Sequence, residues 1–189
     1  MVTPYPPRAT EGSRATIRGM RPEDLDAVVQ LDARVSGNPR RAYFERRLAS
    51  LSPDRLDNHT LGLVAEVGGV IVGFVMGTLT NGEFGFTEVT ALVDSIVVHP
   101  DQQRRGIGQR LAGAFVAEGV ARGVRDVYTL VNWNAWDMLK FFDSIGFSLT
   151  QTVPLRLHIG ESQQTQQSQQ TQQTQQTQQT QQTQQREHT

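Results

Sequence analysis

The sequence predicts a mixed α/β fold: one domain over about residues 15–160, flanked by two arms of a different character. Three observations carry that expectation. Two apolar runs, residues 61–67 and 70–77, flank Gly68-Gly69, the strongest hairpin signal in the chain. A β-branched run over residues 91–98 leads through Pro100 and a polar turn into a segment with Ile107, Leu111, Ala114 and Phe115 at helical spacing. After residue 160 the apolar pattern stops, and Gln-Gln-Thr units continue almost without interruption to Gln185.

Each element follows from its residues. Residues 1–14 hold Pro4, Pro6, Pro7, Gly12 and Ser13 with little apolar content, and read as a disordered arm. Thr16-Ile17-Arg18 is a short first strand. Met20-Arg21-Pro22-Glu23-Asp24 starts a helix, because proline and acids suit a first turn, and Leu25, Val28, Val29 and Leu31 give it an apolar face. Gly37-Asn38-Pro39 breaks it. A second helix runs from Pro39 to about Leu51, with Tyr43, Phe44 and Leu48 on one side. Its Arg40, Arg41, Arg46 and Arg47 are either a solvated face or an attractor for an acidic acceptor.

Residues 52–58 are a polar loop. In the hairpin that follows, Gly73 and Gly77 mark bulges or close backbone approach. Residues 80–87, with Phe84-Gly85-Phe86, form a loop whose aromatics cover either a substrate or the sheet edge. Residues 124–131 read as a buried strand, and Trp136, Leu139, Lys140, Phe141 and Phe142 lie on a last helix stopped at Gly146. Trp133 and Trp136 are expected to pack in the core or along a ligand wall. Residues 147–159 alternate apolar and polar positions around Pro154 and are expected to close the domain as one or two strands. Residues 161–189 have almost no apolar surface to bury, so they read as a disordered tail, either a simple-repeat extension or a self-associating one.

Composition narrows the partners. With 18 basic and 19 acidic residues the formal net charge is −1, so no general pull toward nucleic acid or membrane is expected. The chain has no cysteine, which excludes disulfides, thiolate metal sites and a cysteine nucleophile, and no metal is called for. No apolar run approaches the roughly 20 residues needed to span a bilayer, and the first residues lack the apolar core of a signal peptide. A soluble cytoplasmic protein is the expectation.

The strand, two-glycine turn and helix over residues 91–116 make a place to hold an anion. Glycines let the backbone approach closely, and the first helical N–H groups and the helix dipole point at the ligand. Arg104 and Arg105 add positive charge at the mouth. A dinucleotide turn would place a third glycine where Leu111 stands, and a Walker turn would need Gly-Lys-Ser or Gly-Lys-Thr, which the chain lacks. Gln103-Arg104-Arg105-Gly106-Ile107-Gly108 instead resembles the Gln/Arg-x-x-Gly-x-Gly/Ala signature of the GNAT superfamily, the acetyl-CoA-dependent N-acetyltransferases. The resemblance covers residues 91–150: the strand ending Val97-Val98-His99-Pro100, the helix to Gly123, the strand over 124–131, and Asn134 through Phe141-Phe142-Asp143-Ser144-Ile145-Gly146-Phe147.

That resemblance implies a central, mostly antiparallel sheet, splayed at a cofactor slot and flanked by helices. It implies transfer of the acetyl group of acetyl-CoA to a primary amine by direct attack on the thioester, with the first two helices lining the acceptor site. The backbone N–H groups of Arg104, Arg105, Gly106, Ile107 and Gly108 would hold the pyrophosphate, Gln103 belongs to the same cofactor-binding set, and Ile96, Val97 and Val98 would lie beside the pantetheine. The Val98 N–H would polarise the thioester carbonyl. Phe141 and Phe142 belong to the implied cofactor-binding set, and so does Asn134 unless it caps the last helix.

Acetyl transfer also needs a base. Asp94 and Ser95 alternate on a strand, so only one is expected to face the acceptor cleft, and Asp94 is the candidate, against a structural hydrogen bond at the strand start. Glu83 and Glu88 are reserves. The chain departs from the family at Phe142, where a tyrosine five residues before the last aromatic would protonate the leaving thiolate; a phenyl ring has no proton to give. Tyr128 or water would then serve, or the thiolate leaves unassisted, or the protein is a non-catalytic acyl-CoA-binding or interaction module. Nucleotide binding through the same turn stays a third possibility. The acceptor amine is not specified, and a homodimer through the C-terminal strands is an open expectation.

Overall fold

The computed structural model describes residues 15–51, 59–81 and 88–157. In chain order it holds β1 (Thr16–Gly19), α1 (Leu25–Ser36), α2 (Arg41–Ala49), β2 (Thr60–Val67), β3 (Val70–Asn81), β4 (Val89–Val98), α3 (Ile107–Ala121), β5 (Asp126–Thr129) and α4 (Trp136–Ser144). The strands form one sheet in the order β1-β2-β3-β4-β5. Neighbours pair antiparallel, except β4 and β5, which run parallel because α3 crosses over between them. This is the mixed α/β, mostly antiparallel sheet that was expected.

Helices bury both faces of the sheet. On one, Ile107, Leu111 and Phe115 of α3 pack against Leu63, Val75, Ala91 and Val93. On the other, Val28 and Leu31 of α1 and Phe44 and Leu48 of α2 pack against Val64, Phe74, Met76 and Val97. Phe44 and Phe74 meet edge to face, their centroids 5.6 Å apart. Each such side chain contributes about 2 kcal/mol on burial. Arg18 ties the first strand to the helix start, donating to both oxygens of Asp24 at 2.7 and 2.8 Å and to Glu66 of β2.

Gly68 and Gly69, both with positive φ, close the expected hairpin, joining Val67 to Val70. At Gly77 a Cβ would stand 2.4 Å from the Leu92 carbonyl oxygen and 2.6 Å from the Phe115 ring. That approach coincides with a shift of register. Met76 faces Ser95, Gly77 faces Val93, and Asp94 lies between them as the extra residue of a β-bulge.

Several expectations are corrected. Thr80 and Asn81 belong to β3 and not to a loop. The strand expected over residues 124–131 is four residues long and only half-buried, because among the described residues it pairs with β4 alone. The chain divides into two compact units, residues 1–148 and 149–189, and the described part of the second, 149–157, holds no strand. Alternation makes a strand only where a partner edge pairs with it. Here Pro154 lacks a donor, and the Thr150 hydroxyl donates locally to the Thr152 carbonyl. Trp133 and Trp136 are exposed, at 80% and 64%, and pack in no core. The predicted polar loop over 52–58, the aromatics of 84–86 and Glu83, the N-terminal arm and the Gln/Thr tail lie outside the described residues.

Candidate active site

The site begins where two strands part. β4 and β5 pair from Thr90 opposite Asp126 to Val93 opposite Thr129, and no further. The Thr129 hydroxyl donates to the Val93 carbonyl at 3.1 Å, the last link of the ladder. From the bulge onward, among the described residues, β4 is held by β3 alone. Its His99 N–H donates to Val72 O at 2.8 Å, and successive peptide groups on a strand point to alternate sides. The N–H and C=O groups of Ile96 and Val98 therefore point away from β3, into the space that β5 has left. The Val98 carbonyl accepts a bond from Gln103 Nε2 at 3.1 Å, while its N–H faces the gap.

The floor of this slot is the glycine turn. Gly106 has φ 76° and caps α3, a conformation that costs glycine little. Arg104 is also left-handed, at φ 60°. The first α-helical bond returns from Arg110 N–H to Gly106 O at 3.0 Å, so the N–H groups of residues 107–109 open toward the slot. At Gly108 a Cβ would meet Phe141 at 3.2 Å and Val98 at 3.7 Å, so the turn lies close to both walls. The resulting cavity, about 730 Å³, is lined by Val35, Ile96, Val97, Val98, residues 102–109, Asp137, Met138 and Phe141.

Most of the predicted cofactor residues thus share one cavity: Ile96, Val97, Val98, Gln103, Arg104, Arg105, Gly106, Ile107, Gly108 and Phe141. Phe142 is not among them. It is buried with Ala112 and Ile145, stacked edge to face between Phe141 and Phe147. Asn134 is exposed and does not cap α4, whose N-cap position is Ala135. Tyr128, on β5, and Asp94, on β4, also stay outside the lining. Sequence reasoning passed over Val35, Asp137 and Met138; they come from α1 and α4, and nothing local marks them.

On the α2 side of the sheet the bulge changes what Asp94 can reach. Strict alternation would send Asp94 and Ser95 to opposite faces, and that expectation is corrected. Ser95, opposite Met76, is buried on the α2 face, and the extra residue brings Asp94 there too, where Arg47 Nη2 donates to Asp94 Oδ2 at 2.5 Å. Desolvation of its half-covered side chain raises the Asp94 carboxyl, although the residue as a whole is exposed, and Arg47, Tyr43, Ser95 and Arg40 oppose that rise. Burial and the Asp94 charge likewise raise the Tyr43 hydroxyl. The arginine run of α2 is largely engaged: Arg40 forks onto both oxygens of buried Asp32, and Arg41 pairs with Asp26 and Glu45. Glu88 is exposed at the start of β4. Among the described residues no cluster of three or more His, Asp or Glu could hold a metal, and no helix is long and apolar enough to cross a membrane.

A slot between parted strands, floored by a helix N-terminus, has the shape and polarity that suit an extended, anionic ligand. Residues 25–147 match the acetyltransferase (GNAT) family. The chain is 28% identical over 152 residues to an acetyltransferase of Pectobacterium atrosepticum, a match covering 78% of this chain and 98% of that protein. It is 27% identical over 128 residues to the L-amino acid N-acyltransferase MnaT of Escherichia coli, covering 68% of this chain and 69% of MnaT. Its fold matches the aminoglycoside N-acetyltransferase AAC(6')-Iy in complex with CoA at a TM-score of 0.67 and 18% identity, over 79% of this chain and 98% of the other. The chain belongs to the GNAT acetyltransferase family and is an acyltransferase.

Proposed function

We propose that this chain transfers the acetyl group of acetyl-CoA to a primary amine. The observation that carries the proposal is the one-sided stretch of β4 after Asp94, whose free backbone groups face a cavity ending on the glycine turn. These residues suit acetyl-CoA. The N–H groups of residues 107–109, with exposed Arg104 and Arg105, would hold its phosphates, and the outward edge of Ile96 and Val98 would pair with its amide-bearing arm as a strand would. Acetyl-CoA supplies an activated acyl group. The Val98 N–H stabilises the negative charge that grows on the carbonyl oxygen during attack.

Asp94 takes the proton from the amine. Desolvation of its side chain raises this carboxyl and so its basicity, and the Arg47 charge opposes the rise. Phe142 carries no proton, so the proton for the leaving thiolate is assigned to water. A nitrogen acceptor is supported by the names of two similar proteins, the N-acyltransferase MnaT and the aminoglycoside N-acetyltransferase.

Calorimetric titration of acetyl-CoA into the full chain tests the first half of the proposal. Micromolar binding, about −8 kcal/mol, is expected, and no binding to the folded protein would end the proposal. Release of CoA thiol over a panel of primary amines tests the second half. Asp94→Asn should lower the rate at pH 7 about 100-fold with acetyl-CoA affinity unchanged; an unaltered pH–rate profile removes Asp94 as the base.

A further inference from the structure

Two arginines of the same region hold carboxylates in different ways. Arg40 grips Asp32 with Nε and Nη2, one bond to each oxygen, at 2.9 and 2.6 Å. That fork is the usual geometry of a structural pair. Arg47 reaches Asp94 through Nη2 alone and touches only Oδ2; its Nη1 turns aside to Thr60 Oγ1 at 3.4 Å. Its Nε is buried without a hydrogen-bond partner, and so is the hydroxyl of neighbouring Ser95, whose residue is only 7% exposed. Ser95 Oγ stands near enough to Asp94 and Tyr43 to bear on both, although it meets neither in good hydrogen-bonding geometry. Structural pairs seldom leave a donor and a hydroxyl buried and unpaired beside them. The arrangement instead fixes one carboxylate oxygen and leaves Oδ1 free of Arg47.

We propose that Arg47 is a positioning residue for the reaction: its end-on bond to Oδ2 turns the Asp94 carboxylate so that Oδ1 receives the proton of the acceptor amine. The inference rests on Asp94 being the base, and it adds that α2, not β4 alone, makes Asp94 one. Tyr43, whose hydroxyl lies close enough to hydrogen-bond Asp94, and Arg40 face the carboxylate from the same side as well; of the three, Arg47 alone bonds it end-on through a charged donor. The sign of the pH effect follows. Arg47 lowers the carboxyl's pKa, so without it Asp94 holds its proton to higher pH, and the acid side of the rate profile moves up.

The test uses the full chain and the variants Arg47→Met, Arg47→Lys and Asp94→Asn, with circular dichroism confirming the fold. Carbon-13 NMR of the carboxyl groups, with Asp94→Asn identifying the resonance, follows the titration of Asp94 directly. In Arg47→Met its midpoint should rise by about one pH unit or more, and Arg47→Lys should restore most of the shift. The rise of kcat/KM with pH, measured with propylamine as acceptor, should move up by the same amount while acetyl-CoA affinity stays put. An unmoved NMR midpoint overturns the inference and leaves the acetyl-transfer proposal standing. A moved midpoint with an unmoved rate profile overturns Asp94 as the base, and the inference with it.

Discussion

The two halves of β4 are one strand with two tasks. Through Val93 it lies between β3 and β5, paired on both sides and packed by Ala91 and Val93 against α3. From Asp94 to Val98 it keeps β3 and loses β5, and its outward backbone groups face the cavity. The switch takes a single extra residue. A bulge bends the strand, ends the pairing and turns a carboxylate toward α2, so structural and site-forming backbone meet within one peptide. The comparison teaches that the slot is not carved between domains; it is made by withholding a partner from half a strand.

Three substitutions break or sharpen that contrast. The largest effect is expected at Gly77, opposite the bulge. Gly77→Ala drives a Cβ into the Leu92 carbonyl and the Phe115 ring, and should cost about 3 kcal/mol in urea unfolding; a loss below about 0.5 kcal/mol would mean the strands can spread there freely. Next comes the floor of the open half. Gly108→Trp should leave the fold intact and weaken acetyl-CoA binding more than about 100-fold, roughly 2.7 kcal/mol, because the indole must fill the space beside Phe141 and Val98. Retained affinity would move the ligand elsewhere. The smallest effect belongs to the seam between the halves. Thr129→Val removes the hydroxyl bond to Val93 O and should destabilise by about 1 kcal/mol, with ligand affinity little changed.

Much of the fold was legible because its signals are local. Gly68-Gly69 between two apolar runs specifies a hairpin without help from the rest of the chain, and the polar turn between 98 and 107 announces a strand and a helix on its own. What escaped depends on partners distant in sequence. The bulge at Asp94 answers to Gly77 and Phe115, so strict alternation misplaced Asp94 relative to Ser95. Strand 124–131 looked buried because its residues are apolar, yet burial needs a second neighbour that β5 lacks among the described residues. The same holds for 148–157, where alternation met no ladder. In the site, the turn and the strand beside it could be named from their motif. Phe141 and Phe142 are adjacent in sequence, and only packing shows that one lines the cavity while the other is buried beneath it. Arg47 could not be distinguished from its three arginine neighbours on α2, since what sets it apart is one bond to a residue 47 positions away.

An unpaired strand edge has a consequence beyond chemistry. Free N–H and C=O groups beside apolar side chains are a template on which a strand of another molecule can add. This chain shortens the risk in three ways: the open edge spans only residues 94–98, the bulge twists it, and Gln103 occupies the last carbonyl. A bound ligand pairing with Ile96 and Val98 would close the rest. Under the proposed binding mode the cosubstrate would also be a cap on the sheet.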